Sequence, residues 1–230
     1  LATPVLSFGT TKKGLPISCF LAWIEDTAEG LVETQSEVAW LSMSGGGVGL
    51  GFGMRAEDNR SVGIMPHAKV YEAMSLAYRQ GKTRRGSFAP YLDISHPNIR
   101  QFIDMRKPTG DHNQRTLELH HGINIPDAFM HKIEGAMKYG YAFDDSWPLV
   151  DPHSKQTKET VSARELWESI LETRHRTGEP YLHFTDASNR ALPWYQKEAG
   201  LKVRQSNICT EITLATGADR TAVCCLASLN

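Results

Sequence analysis

Apolar positions along this chain follow two rhythms. Short runs rich in branched and aromatic residues predict strands at Ile17 to Ile24, Phe88 to Ile94, Leu117 to Ile123 and Tyr181 to Thr185, with two more around Cys209 and Cys224. Between them, apolar residues three and four apart predict helices at Glu33 to Met43, Ile64 to Tyr78, Asn98 to Met105, Pro126 to Lys138 and Ala163 to Arg176. Ser162 and Glu165 form a capping box for the last helix, and Gly178 is placed to end it. Strands alternating with helices imply an α/β fold with mainly parallel strands, because parallel pairs need crossovers. The polar stretch from Asp144 to Lys158, with Pro148 and Pro152, reads as a surface excursion, and no internal repeat is visible.

Composition narrows the function classes. With 230 residues, 40% of them hydrophobic and 22% charged, the chain can bury a sizeable core and is not a disordered segment. A formal net charge of -1 leaves no basic field for gripping a duplex, so nucleic acid is not an expected partner. No apolar run approaches the roughly 18 residues of a membrane span, and Leu1-Ala2-Thr3-Pro4 does not open a signal peptide. A cytoplasmic protein with no membrane contact is expected. Cys19, Cys209, Cys224 and Cys225 are too few for a disulfide scaffold and fit no zinc spacing, so each is either a buried apolar residue or a reactive thiol. The chain does not begin with Met and stops just after an apolar run, which suggests a fragment or a split gene product.

Three motif matches fail on context. Gly81-Lys82-Thr83 resembles the end of a phosphate-binding loop, but the first glycine would have to stand at Leu76. Gly51-x-Gly53-x-x-Ala56 resembles a dinucleotide fingerprint, yet it follows a helical pattern instead of a strand, and no helix clearly starts at its end. His120 and His121 are adjacent, and on a strand they would face opposite ways, so no metal site is expected from them.

Three features survive. The glycine run from Ser44 to Gly53 lets backbone approach a ligand closely and could offer N–H groups to an anion; its bland reading is a turn or tight packing. The loop Gln80-Gly81-Lys82-Thr83-Arg84-Arg85-Gly86 is basic, suited to phosphate or a base edge, although a solvated charge run would look the same. Asn207, Cys209 and Glu211 are spaced by two, so in an extended segment an amide, a thiol and a carboxylate share one face. A purely structural strand has little reason to carry that trio.

Eight segments, in order, carry a family resemblance. They are Pro16-Ile17-Ser18-Cys19, Ser44-Gly45-Gly46-Gly47-Val48-Gly49, Gln80 to Gly86, Tyr91-Leu92-Asp93-Ile94-Ser95-His96-Pro97, Leu119-His120-His121-Gly122, Thr177-Gly178-Glu179-Pro180-Tyr181, Ser206-Asn207-Ile208-Cys209-Thr210-Glu211 and Cys224 to Asn230. Together they resemble class I ribonucleotide reductase large subunits from one end of the chain to the other.

The resemblance implies part of a ten-stranded α/β barrel, namely the first half-barrel and the finger loop that carries a radical cysteine. Residues 1–230 would form a partial catalytic barrel domain, without ATP cone, second half-barrel or C-terminal tail. The implied reaction reduces ribonucleoside diphosphates to deoxynucleotides for DNA precursor synthesis, with deoxynucleoside triphosphates or ATP choosing the substrate.

Cys209 matches the thiyl radical that takes hydrogen from the 3′ carbon, a reaction outside acid–base chemistry. Glu211 matches the base at the 3′ hydroxyl, and Asn207 matches a hydrogen-bonding partner of the sugar. Cys19 and Cys224 match the pair that supplies the reducing equivalents. Cys225 is given a packing role, with a register slip that makes it the redox partner as the alternative.

Thr3, Ser18, Gly46 and Gly47 fall where the family holds substrate phosphates. Asp26, Arg55 and Arg60 fall at the allosteric specificity site, with loop one at 56–63. Gln80 and Arg84 fall in loop two, which relays effector identity to base choice. No metal or cofactor is expected on this chain itself. The radical would come from a metal-containing small subunit, thioredoxin or glutaredoxin would supply reductant, and the full large subunit would be a homodimer. The chain alone is expected not to turn over. The competing readings are a non-catalytic nucleotide-binding or dimerisation fragment, and a generic thiol oxidoreductase using Cys224-Cys225.

Overall fold

A computed structural model describes residues 3–11, 15–79 and 86–227. In chain order the elements are α1 (Thr3–Thr11), β1 (Cys19–Ile24), α2 (Ala28–Met43), β2 (Gly47–Phe52), α3 (Ile64–Ala77), β3 (Phe88–Asp93), α4 (Ile99–Asp104), β4 (Gly122–Ile125), α5 (Asp127–Tyr139), β5 (Ser146–Val150), β6 (Thr157–Ser162), α6 (Ala163–Thr177), β7 (Tyr181–Phe184), α7 (Thr185–Arg190), α8 (Trp194–Glu198) and β8 (Ala222–Cys224). The main sheet runs β7-β4-β3-β2-β1-β8, parallel throughout except for β8, which lies antiparallel to β1. Helices cover one face, so the α/β reading with mainly parallel strands holds, and the whole is a half-barrel.

A strand in the glycine run, whose bland reading is a turn or tight packing, explains the shape of the other face. The glycine run is β2, in which Gly47, Gly49 and Gly51 alternate with Val48, Leu50 and Phe52. Successive residues of a strand face opposite sides. Val48, Leu50 and Phe52 join Val38, Ile64, Ala68 and Tyr71 in the core beneath α2 and α3. The glycines leave the inner face bare. The run therefore does follow strand geometry at Gly51, contrary to the expectation, although the next helix begins only at Ile64.

Three further expectations need correction. Asp144 to Lys158 is not a mere surface excursion: β5 and β6 pair as a hairpin, and Trp147 meets Phe129 of α5 edge-on at 5.1 Å. Leu117 to His121 precedes β4 and is not part of it, because this stretch turns both histidines onto one carboxylate. Around Cys209 there is a turn and no strand. Ser162 does cap α6, its Oγ accepting from Glu165 N at 3.2 Å, and Gly178 ends the helix at φ 80. No helix among the described residues is long and apolar enough to cross a membrane.

Candidate active site

The segment 203–212 crosses the bare inner face of β2 as a finger. A Cβ on Gly51 would meet the Gln205 side chain, one on Gly49 would overlap the Ser206 carbonyl, and one on Gly47 would overlap the Ile208 side chain. Only glycine lets the two backbones lie this close. The finger's base is fixed by Gln205, whose Nε2 donates to Ala22 O at 2.9 Å and whose Oε1 accepts from Thr216 Oγ1 at 2.7 Å. Gln205, Ser206 and Asn207 are fully buried, and their polar atoms are accordingly bonded.

Asn207 organises the tip. Its Oδ1 accepts from Glu211 N at 3.1 Å and Ile212 N at 3.2 Å, which closes the turn. Its Nδ2 donates to Glu211 Oε1 at 2.8 Å and approaches Cys19 Sγ at 3.4 Å. Amide and carboxylate do converge, but through a closed turn and not through the shared strand face expected from spacing. Cys209 stands exposed at that turn, next to Thr210 at φ 67.

Cys19 and Cys224 are directly opposed across the β1–β8 ladder, so their side chains leave the sheet on the same side. Cys225 follows the last residue of β8 and is exposed. Burial raises the Cys224 thiol pKa, and Cys19, Glu211 and Cys225 raise it further, so it is a protonated thiol at neutral pH. Ser18, next to Cys19, is buried, and its Oγ has no hydrogen-bond partner among the described residues. The Gly47 N–H donates to Ser18 O at 3.0 Å and the Gly46 N–H to Leu41 O at 3.4 Å, so both N–H groups are directed within the chain. Thr3 opens α1, and its side chain lies outside the described residues.

At the opposite ends of the strands, Arg55 Nε pairs with Asp26 Oδ2 at 2.6 Å. His153 Nδ1, from the hairpin turn, lies 3.3 Å from the same oxygen. Asp151 of that turn accepts from Ala56 N at 2.9 Å, which latches the hairpin to the residue after Arg55. Burial works against the Asp151 carboxylate, but donors from Ser154, Ala56 and His153 hold its pKa down to about 2. Arg60 is exposed in the loop after Ala56, where its N–H donates to Asp58 Oδ1 at 2.7 Å. Gln80 and Arg84 lie outside the described residues.

Sequence reasoning missed Asp151, His153 and Glu179. Glu179 accepts from His120 Nδ1 at 2.5 Å, His121 N at 2.9 Å and His121 Nδ1 at 3.0 Å, with Arg106 at 3.2 Å. The two histidines thus share one target and do not face opposite ways. Burial raises the Glu179 pKa, yet these donors outweigh it and hold the carboxyl at about 2. Among the described residues no cluster of His, Cys, Asp and Glu could hold a metal ion.

This combination is a half-barrel of parallel strands whose lumen holds a finger bearing a thiol, with two further thiols opposed on neighbouring strands. Comparison with known proteins gives it a family. The profile of the ribonucleotide reductase barrel domain matches residues 17–230. The chain belongs to the ribonucleotide reductase family, and it corresponds to part of the barrel domain of the large subunit.

Among its relatives, the ribonucleoside-diphosphate reductase large subunit of Invertebrate iridescent virus 3 is 48% identical over 100% of this chain and 44% of the relative. A putative ribonucleoside-diphosphate reductase large subunit of Frog virus 3 is 53% identical over 100% of this chain and 39% of the relative. The solved Actinobacillus ureae class Id ribonucleotide reductase alpha subunit superposes with TM-score 0.78 at 30% identity, covering 98% of this chain and 38% of that one. The chain thus spans less than half of the relatives it matches.

Proposed function

We propose that the subunit containing this chain reduces ribonucleoside diphosphates to 2′-deoxyribonucleoside diphosphates through a thiyl radical on Cys209. The observation that carries the reading is the Asn207 side chain, which joins Glu211 and Cys19 in one hydrogen-bonded group beside the Cys209 turn. A radical-generating small subunit supplies the unpaired electron. Cys209 then takes the hydrogen atom from C3′ while Glu211 accepts the 3′ hydroxyl proton and Asn207 orients the sugar.

Cys19 and Cys224 act as the dithiol. One protonates the 2′ hydroxyl, which leaves as water, the other supplies the hydrogen that replaces it on C2′, and the pair, having given up two electrons, becomes a disulfide. Cys209 returns its hydrogen to C3′. The opposed positions of the two thiols and the raised Cys224 pKa suit proton donation and cross-linking. Thioredoxin or glutaredoxin regenerates the dithiol.

Ser18, with its hydroxyl unpartnered among the described residues, is the best placed of the substrate-phosphate candidates Thr3, Ser18, Gly46 and Gly47. Asp26 and Arg55, with Arg60, form the specificity site for a deoxynucleoside triphosphate or ATP, and Gln80 and Arg84 read its identity. The full subunit acts as a cytoplasmic homodimer, and this chain alone does not turn over. Replacing Cys209 by Ala in the complete large subunit, assayed with its small subunit and reductant, should abolish deoxynucleotide formation while triphosphate binding persists. Survival of activity would overturn the radical assignment.

A further inference from the structure

Tyr91 stands on β3, in register with Gly51 of β2 on one side and Gly122 of β4 on the other. It is fully buried, and its ring lies so close over Gly122 that a Cβ there would overlap it. The ring meets His183 edge-on at 6.0 Å. All of that packing could be done by a phenylalanine. The hydroxyl does something a phenylalanine could not. It donates to Asn207 O at 2.6 Å and lies 3.0 Å from Thr210 Oγ1. A phenol has one proton, and a carbonyl can only accept, so the Thr210 hydroxyl must be the donor in the second bond. One oxygen on a rigid central strand therefore holds the residues on both sides of Cys209.

The turn needs such a hold. Thr210 is β-branched and sits at φ 67, in the left-handed region that such residues avoid, so the turn is strained. Asn207 closes the turn from within, and its own reach to the sheet is the long 3.4 Å approach of Nδ2 to Cys19 Sγ on β1, to which the Tyr91 hydroxyl adds two shorter bonds from β3. Burial keeps the Tyr91 phenol protonated well above neutral pH, so the donor is present throughout the working range.

We propose that Tyr91 is a positioning residue: its hydroxyl clamps the Asn207–Thr210 turn to β3 and thereby sets the line from Cys209 to the substrate's 3′ hydrogen. The proposal rests on the reading of Cys209 as the hydrogen-abstracting group. Hydrogen transfer requires near-contact alignment, and a displacement of about 1 Å can cost on the order of 100-fold in rate.

Tyr91→Phe in the complete large subunit, assayed with its small subunit, tests the clamp. The expected result is a fall in kcat of about 10- to 100-fold, with KM and triphosphate affinity within about twofold of the parent. The deuterium isotope effect on kcat with 3′-deuterated substrate should rise, because abstraction becomes slower relative to the other steps. Thr210→Val, which removes only the second bond, should move the same quantities in the same direction by less.

Parent-level kcat in Tyr91→Phe would overturn the clamp. So would a lower kcat with an unchanged isotope effect, since that is the signature of fewer folded molecules. Cys209→Ala, run in parallel, separates the two ideas. If it is inactive while Tyr91→Phe is normal, only the clamp fails; if it is active, the radical reading fails and takes the clamp with it.

Discussion

Asn207 uses both ends of one amide, two acceptor bonds to the backbone ahead of it and two contacts to the side chains of Glu211 and Cys19, which the proposed chemistry uses. Asn207→Ala would remove the acceptor that the part-buried N–H groups of Glu211 and Ile212 use to close the turn, at a cost of about 0.5–1.5 kcal/mol for each bond. Reductase activity in the complete enzyme should fall by far more than the population of folded protein, which thermal melts would measure separately. The cysteines separate in the same way. Cys19 faces Cys224 across the ladder, so oxidation with a mild disulfide-forming reagent should link that pair, as peptide mapping would show. Cys225→Ser should keep both the link and the activity, whereas Cys224→Ser should lose both; the reverse pattern would restore the slipped register.

Much at this scale was written in the sequence. The residues Asn207, Cys209 and Glu211 stood out because an amide, a thiol and a carboxylate are seldom gathered without a task. Their geometry was not legible, since spacing by two suggests a strand, and only the side-chain bonds of Asn207 bend it into a turn. The role of Glu179 is not legible in its motif, because its donors come from residues 106, 120 and 121, far off in sequence.

Among the elements, β2 was readable and was misread. Gly-Val-Gly-Leu-Gly-Phe has the strict alternation of a strand, with glycine where a polar residue would normally mark the second face. The finger lying on that face, unseen from local sequence, is the reason for the glycines. The hairpin was hidden for a different reason. Its apolar residues, Trp147, Leu149 and Val161, are few and separated by charged and proline positions, so the stretch looks solvated although all three are buried.

The tip of that hairpin places Asp151 on Ala56, one residue beyond Arg55. Asp151→Ala should free the start of loop one and weaken triphosphate binding, by about 10- to 150-fold if one charge-assisted bond of about 1.5–3 kcal/mol is lost, with substrate KM unchanged. Equilibrium binding of a labelled triphosphate checks this. An equal loss in substrate KM would mean that the hairpin holds the barrel as a whole.

Glu179 joins the entry to β4 with the entry to β7, and this sets a pH dependence. Its folded pKa of about 2 lies below the ordinary value of 4.5, so its contribution to stability is complete above 4.5 and is lost as pH falls from there toward 2. Glu179→Gln lacks that contribution at every pH. Denaturant melts should therefore show the variant less stable than the parent at pH 6, with the gap narrowing as pH is lowered through that window. A gap that stays constant down to pH 3 would mean that the carboxylate's charge contributes nothing.

For the whole molecule, the decisive feature is a sheet with two ends. Among the described residues, strand β7 pairs with β4 alone, while β8 has already reversed direction against β1. Unpaired backbone on a strand edge is exposed to solvent or to another strand. The relatives carry more than half of their length outside the region matched here, which is enough chain to close the barrel. In the isolated chain, amides on the outer edge of β7 should exchange with solvent quickly, while those of β2 and β3, bonded on both sides, exchange slowly. In the complete subunit the β7 amides should become as protected as those of the centre, and the same preparation should form deoxynucleotide where the isolated chain with small subunit and reductant does not. If β7 stayed fast-exchanging in the active subunit, the barrel would have to close elsewhere, and the finger would need another wall to hold Cys209 against its substrate.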